Sequence, residues 1–171
     1  MPNFSSLSIT RSEQSRENRQ GVAPPPPPSA CMSVYGSCGT TQMARVQKVI
    51  NFFARAVSGR RRSDHIADVI EQLGWLRADE LAEYHAVCAV QRAITAGTPG
   101  YISQTIGPAA REIHEHDTRH AGRLTQPRAR SETGRRRLCI RGVEMLNRAN
   151  TNPHMTCFRV NAKRAILSRR Q

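Results

Sequence analysis

Met43, Val46, Ile50, Phe53 and Val57 recur at alternating steps of three and four residues, a spacing that aligns side chains along one stripe of an α-helix. Gly59 closes that helix, because a residue without Cβ enters the left-handed conformation that ends helices. The same logic applies downstream. Ile66, Val69, Ile70 and Leu73 share a face, with Ser63 placed to cap the helix, Asp64 and Asp68 near its positive end and Gly74 as its stop. A longer helix is predicted from about Arg77 to Ala96, presenting Leu81, Tyr84, Val87, Cys88 and Ile94, with Asp79, Glu80 and Glu83 in its first turns and Gly97 and Pro99 ending it. Three such helices can bury a common core. Its candidate members are Val46, Ile50, Phe53, Ile66, Leu73, Trp75, Leu81 and Tyr84, and Trp75, in the joint between the second and third helices, is read as a packing residue rather than a platform for bases.

The expected fold class is mainly α: a small helical bundle with a short two-stranded basic arm and a disordered N-terminal leader. Residues 1–41 form the leader, rich in Ser, Arg, Gln, Gly and Pro, with Pro24 to Pro28 as a short polyproline II rod. Residues 42–117 form the helical module, extended by a turn at Tyr101 to Ile106 and a short helix from Ala109 to Glu115. Residues 118–171 form the basic arm. There Gly122 to Gln126 and Arg136 to Ile140 are predicted to pair as strands, and helices are expected from Val143 to Asn150 and from Met155 to Ser168. With 5% aromatic residues, the core is expected to be modest and built from Ile, Leu, Val and Ala.

Charge is unevenly placed. Residues 42–117 carry eight Arg and one Lys against nine acids, whereas residues 118–171 carry thirteen Arg and one Lys against two Glu, so nearly all of the +13 net charge lies in the last third. A polyanion-facing arm has this composition, because arginines that neutralise phosphates bind RNA or DNA without reading its sequence. Arg119, Arg123, Arg128, Arg130, Arg135, Arg136, Arg137 and Arg141 are the candidate nucleic-acid-binding residues. The plainer reading of such a run is a solvated basic tail. Arg60, Arg61 and Arg62 extend the patch or, more simply, complement the negative end of the first helix.

Other functions find little support in the residue pattern. Cys31, Cys38, Cys88, Cys139 and Cys157 are odd in number and without regular spacing, so a disulfide scaffold is not expected and a reducing, intracellular compartment, nuclear or cytoplasmic, is. Neither a membrane span nor a secretory leader is predicted. His114, Glu115, His116, Asp117 and His120 form the one cluster resembling a metal site, but the residue four after His114 is Thr118, so H-E-x-x-H is broken and no metal or other cofactor is expected.

The order of landmarks resembles one family. A helix ending in Ser58-Gly59-Arg60-Arg61-Arg62 is followed by Asp64-His65-Ile66, Leu73-Gly74-Trp75-Leu76, Tyr84 and Gly97-Thr98-Pro99-Gly100-Tyr101-Ile102. Next come Thr118-Arg119, Leu124, Pro127-Arg128 through Arg130, Gly134-Arg135-Arg136, Arg141-Gly142, Met145-Leu146-Asn147, and Phe158 with Lys163 and Leu167. Over residues 43–171 this is similar to the region downstream of the palm in reverse transcriptases of non-LTR retrotransposons. Met145 departs from the family's usual L-W-N, and the leader has no counterpart there. The resemblance implies a detached C-terminal segment of an RNA-directed DNA polymerase that packs against the palm in its parent and helps hold template and nascent strand. Catalysis is not implied: Asp64, Asp68, Asp79 and Asp117 include no adjacent pair, and no aromatic-x-Asp-Asp motif supplies the carboxylates that two-metal phosphoryl transfer needs. The alternative is a helical protein–protein interaction module with a solubilising basic tail.

Overall fold

Gly59, Gly74 and Gly97 all adopt positive φ, and these three left-handed stops divide the first half of the chain into its helices. A computed structural model describes residues 32–113 and 122–170. In order, the helices are α1 (Met32–Tyr35), α2 (Thr40–Ser58), α3 (Ala67–Gln72), α4 (Ala78–Ala96), α5 (Gly100–Ser103), α6 (Ala110–Ile113), α7 (Glu132–Arg135), α8 (Leu138–Ala149) and α9 (Phe158–Leu167), followed by a 3-10 turn at Ser168–Arg170. The protein is mainly helical, and no strand pair occurs among the described residues.

The 19-residue α4 is the axis of the bundle. One side of it contributes Ala78, Leu81 and Ala82 to a core with Met32, Ile50, Ala54, Ile66, Val69, Ile70, Trp75, Leu76 and Ile166. The other contributes Val87 and Val90 to a second core with Val143, Leu146, Phe158 and Ala162. Flanked on both sides, α4 buries its alanines as well as its larger residues, and Ala86 and Ala93 are fully enclosed. Small side chains let the neighbours come close. A Cβ built at Gly142 of α8 lies only 2.5 Å from Val90 Cγ2, so glycine is what permits α8 to lie against α4.

Polar contacts fix the ends. Glu80 Oε2 accepts from the Arg77 N–H at 2.7 Å, and Gln47 of α2 reaches across to accept from the Ala78 N–H at 2.8 Å, so two of the unpaired donors at the start of α4 are satisfied. At the far end of the chain Arg170 donates to Glu80 Oε1 at 2.6 Å and to the Trp75 carbonyl at 2.9 Å, while Arg169 reaches Glu83 at 2.6 Å.

Several sequence expectations need correction. The first helix begins at Thr40, and α1 buries Met32 against α2 and α4, so residues 32–41 belong to the bundle and not to the leader; residues 1–31 lie outside the described residues. Ser63 does not cap α3, whose N-cap is Ile66. A turn closed by the Arg61 N–H on Asp64 Oδ2 at 2.9 Å occupies residues 61–64 and delays the helix. Phe53 is 38% exposed, because the inward stripe of α2 runs through Ile50 and Ala54 and leaves Phe53 at its edge. Val46, Leu73 and Tyr84 are partly buried at the rim of the cores, whereas Ile50, Ile66, Trp75 and Leu81 are buried. The basic arm is not a separate piece either: Val143, Leu146, Phe158, Ala162 and Ile166 complete the two cores.

The expected strand pair is replaced by something else. Arg136 to Ile140 lead into α8, whose apolar positions Ile140, Val143 and Leu146 follow helical spacing, so that segment has no free edge to offer. Gly122 to Gln126 instead run beside residues 108–110. The Ala110 N–H donates to Arg123 O at 2.8 Å and the Thr125 N–H to Pro108 O at 3.0 Å, around a single antiparallel bridge from Ala109 to Leu124.

Candidate nucleic-acid interface

Pro127 and the Ser131 cap shape the basic segment. Pro127 fixes its own φ and biases Gln126 toward extended backbone, and Ser131 Oγ accepts from the Gly134 N–H at 3.1 Å to start α7. Between these points the chain bends around an open groove lined by Arg128, Arg130 and Arg135 on one side and Ile140 and Glu144 of α8 on the other. All three arginines are exposed, and none takes part in an ion pair among the described residues. Glu144, the one acid in the lining, is held by Arg148 at 3.0 Å. The groove is therefore strongly cationic, with guanidinium forks suited to phosphate oxygens.

The remaining candidates are placed differently. Arg123 is exposed on the 122–126 segment beside a second cavity, of about 700 Å³, lined also by Asn147, Asn152 and His154. Arg136 is exposed but pairs with Glu132 at 3.5 Å, and Arg137 is the exposed N-cap residue of α8. Arg119 lies outside the described residues.

Arg141 points inward. Its Nη2 donates to the Ser33 carbonyl at 2.7 Å, and its Nε and Nη1 are buried without a partner among the described residues. Burial pushes its pKa below the ordinary arginine value, partly offset by the nearby Cys38. It anchors α1 to α8 and is not presented to a ligand, which corrects its assignment to the binding set. Sequence alone gave no sign of this, since Arg141 follows three exposed arginines and differs only in falling one helical turn inside α8.

Much of the terminal charge is likewise structural. Arg148, Arg169 and Arg170 all face carboxylates. Earlier in the chain Arg60 pairs with Asp68 at 3.5 Å across exposed surface, tying the end of α2 to α3. Of the histidine cluster, His114, His116 and His120 lie outside the described residues, as do Glu115 and Asp117. Among the described residues no group of three His, Cys, Asp or Glu side chains gathers as a metal site, Cys38, Cys88, Cys139 and Cys157 are unbridged, and no helix is long and apolar enough to cross a membrane.

No protein-family model, no curated protein and no solved structure matches the chain.

Proposed function

We propose that this protein binds the phosphate backbone of RNA or DNA, without reading bases, at the groove formed by Arg128, Arg130 and Arg135. On this reading the chain is a non-catalytic helical segment of the kind that follows the palm in non-LTR retrotransposon reverse transcriptases, and the groove is its contact with template or product strand. One observation carries the proposal: three exposed arginines line a single groove in whose lining the one acid, Glu144, is already engaged by Arg148. Such a site attracts polyanions and releases their counterions on binding.

The test is a salt titration of a labelled single-stranded oligonucleotide. Three phosphate contacts give a slope of log affinity on log salt of about −2 for a single strand. Replacing all three arginines by alanine is expected to remove most of that slope at unchanged helicity. An affinity indifferent to salt, or a triple variant that binds as the parent does, sinks the proposal.

The second reading, a helical protein–protein interaction module with a solubilising basic tail, is favoured by a different observation. Phe52 on α2 is 66% exposed, which a bundle with a fully covered core does not require.

A further inference from the structure

The helix α2 has two apolar faces, and the bundle covers one of them. Ile50 and Ala54 are buried against the first core. At about 100° per residue, Phe53, Val49 and Phe52 follow in turn around the helix away from Ile50, and Val57, one turn after Phe53, lies at the strip's inner border. Val49 is 43% exposed, Phe52 66%, Phe53 38% and Val57 36%. Phe52 and Phe53 meet edge to face with ring centroids 5.8 Å apart, so the strip carries a braced aromatic pair. Positions 49, 52, 53 and 57 are spaced as anchors for a second helix laid alongside.

The border of the strip says what kind of helix. By the same helical geometry Lys48 lies at its outer edge and Arg45 lies in line with it, one turn before Val49; Arg61 and Arg62 follow the end of α2, and α2 contains no acidic residue. A second copy of α2 sets Arg45 and Lys48 against like charges with no acid on α2 to pair them, which opposes self-pairing. A helix with Leu or Phe on one face and Glu or Asp beside it meets complementary charge at Arg45 and Lys48.

We infer that the Val49–Phe52–Phe53–Val57 face of α2 docks an acidic amphipathic helix of a partner protein. This deepens the second functional reading and leaves the first untouched, because the arginine groove is built by α7, α8 and the segment before them.

The experiment uses the whole chain and a labelled synthetic helical peptide with Leu at i, i+3, i+4 and i+7 and Glu at the flanking positions. A twin peptide carries Lys in place of Glu. Fluorescence anisotropy is expected to show saturable binding of the Glu peptide, about tenfold or more tighter than the Lys peptide. Phe52→Ala is expected to weaken it by about tenfold or more, as loss of an aromatic anchor does. Because Phe52 is exposed, circular dichroism is expected to be unaltered. The double variant Arg45→Glu with Lys48→Glu is expected to reverse the preference toward the Lys peptide. Replacing Arg128, Arg130 and Arg135 by Ala is expected to remove most of the salt-dependent oligonucleotide affinity while leaving peptide binding in place, so the two surfaces fail separately. The inference is overturned if the Glu peptide binds no better than its Lys twin, or if Phe52→Ala changes nothing. It is equally overturned if sedimentation shows a dimer that Phe52→Ala disperses, or if anionic vesicles are bound through Phe52 while the peptide is not.

Discussion

The side-chain amide of Asn147 pairs with both backbone groups of Leu124: its Oδ1 accepts from the Leu124 N–H at 3.0 Å and its Nδ2 donates to the Leu124 carbonyl at 2.9 Å. One side chain on α8 thus does for the 122–126 segment what a neighbouring strand does elsewhere. It satisfies the donor and acceptor of a residue just upstream of the arginine groove. Asn147→Ala removes both partners at once. The expected cost is about 1–3 kcal/mol, with amide exchange at Leu124 and Thr125 accelerated more than exchange at Val87 or Val90 of α4. Asn147→Asp, which keeps the acceptor and loses the donor, is expected to fall between. Uniform acceleration across the chain contradicts a local tie.

Close approach of α8 to α4 depends on Gly142. An added Cβ meets Val90 Cγ2 at 2.5 Å and Ala86 O at 3.3 Å, and backbone cannot yield as a side-chain tip can. Gly142→Ala is therefore expected to destabilise by about 1–3 kcal/mol despite alanine's better helix propensity. Thermal denaturation measures it. In a double-variant cycle, Val90→Ala is expected to couple with Gly142→Ala, because the smaller side chain vacates the space the new methyl needs. Strict additivity of the two changes disproves the steric account.

The helices α2 and α4 were legible in the sequence because each has a periodic apolar pattern and a glycine stop. What eluded it were features set by packing on more than one side. Ala82, Ala86 and Ala93 are core residues only because α4 is flanked by helices on both sides, and no amphipathic stripe marks such positions. Phe53 and Val57 fit the helical stripe by spacing, yet the residues that pack on α2 cover Ile50 and Ala54 more deeply. The charge run misled in another way. Composition groups Arg135, Arg136, Arg137 and Arg141 together, whereas helix geometry separates the exposed three from the one that turns toward Ser33. The strand expectation for 136–140 failed because Ile140, Val143 and Leu146 continue a helical period that begins inside it.

Acid is expected to loosen the joint between the chain's end and the start of α4. Burial by itself raises the Glu80 carboxyl, but hydrogen bonds from Arg170 and from the Arg77 N–H, with the charge of both arginines, outweigh it, and the pKa lies below its ordinary value of 4.5. The unfolded chain therefore takes up this proton first as pH falls. The contribution of Glu80 is fully present above about pH 4.5 and is lost as pH drops through the lower folded value. Arg170→Met is expected to cost roughly 1.5–3 kcal/mol at neutral pH, the range for hydrogen bonds to charged groups, and to flatten the stability profile below that point. His85 acts at a higher pH. Burial, aided by Arg159, lowers its pKa from 6.5, so its contribution drains as pH falls below that value, and His85→Gln removes that part of the slope. Urea denaturation at a series of pH values separates the two.

Arg141 offers the sharpest separation of structural from binding arginines. Its Nη2 holds the Ser33 carbonyl at 2.7 Å, but Nε and Nη1 are enclosed without partners among the described residues, and unpaired buried donors cost stability that the one good bond must offset. Methionine fills the space of the aliphatic stem and brings no unpaired donor, while leaving Ser33 O without its partner. These terms oppose each other, so Arg141→Met is expected to change stability by no more than about 1 kcal/mol in either direction. Its effect on oligonucleotide affinity and on the salt slope is expected to be nil, because the guanidinium faces α1 and not the groove. Arg128→Ala, at an exposed position with no ion pair to lose, is expected to do the reverse: unchanged stability, weaker binding and a salt slope shallower by about 0.7 for a single strand. Equal losses of affinity in the two variants show that Arg141 reaches the ligand, and the division of the basic segment into an anchoring and a binding half is then untenable.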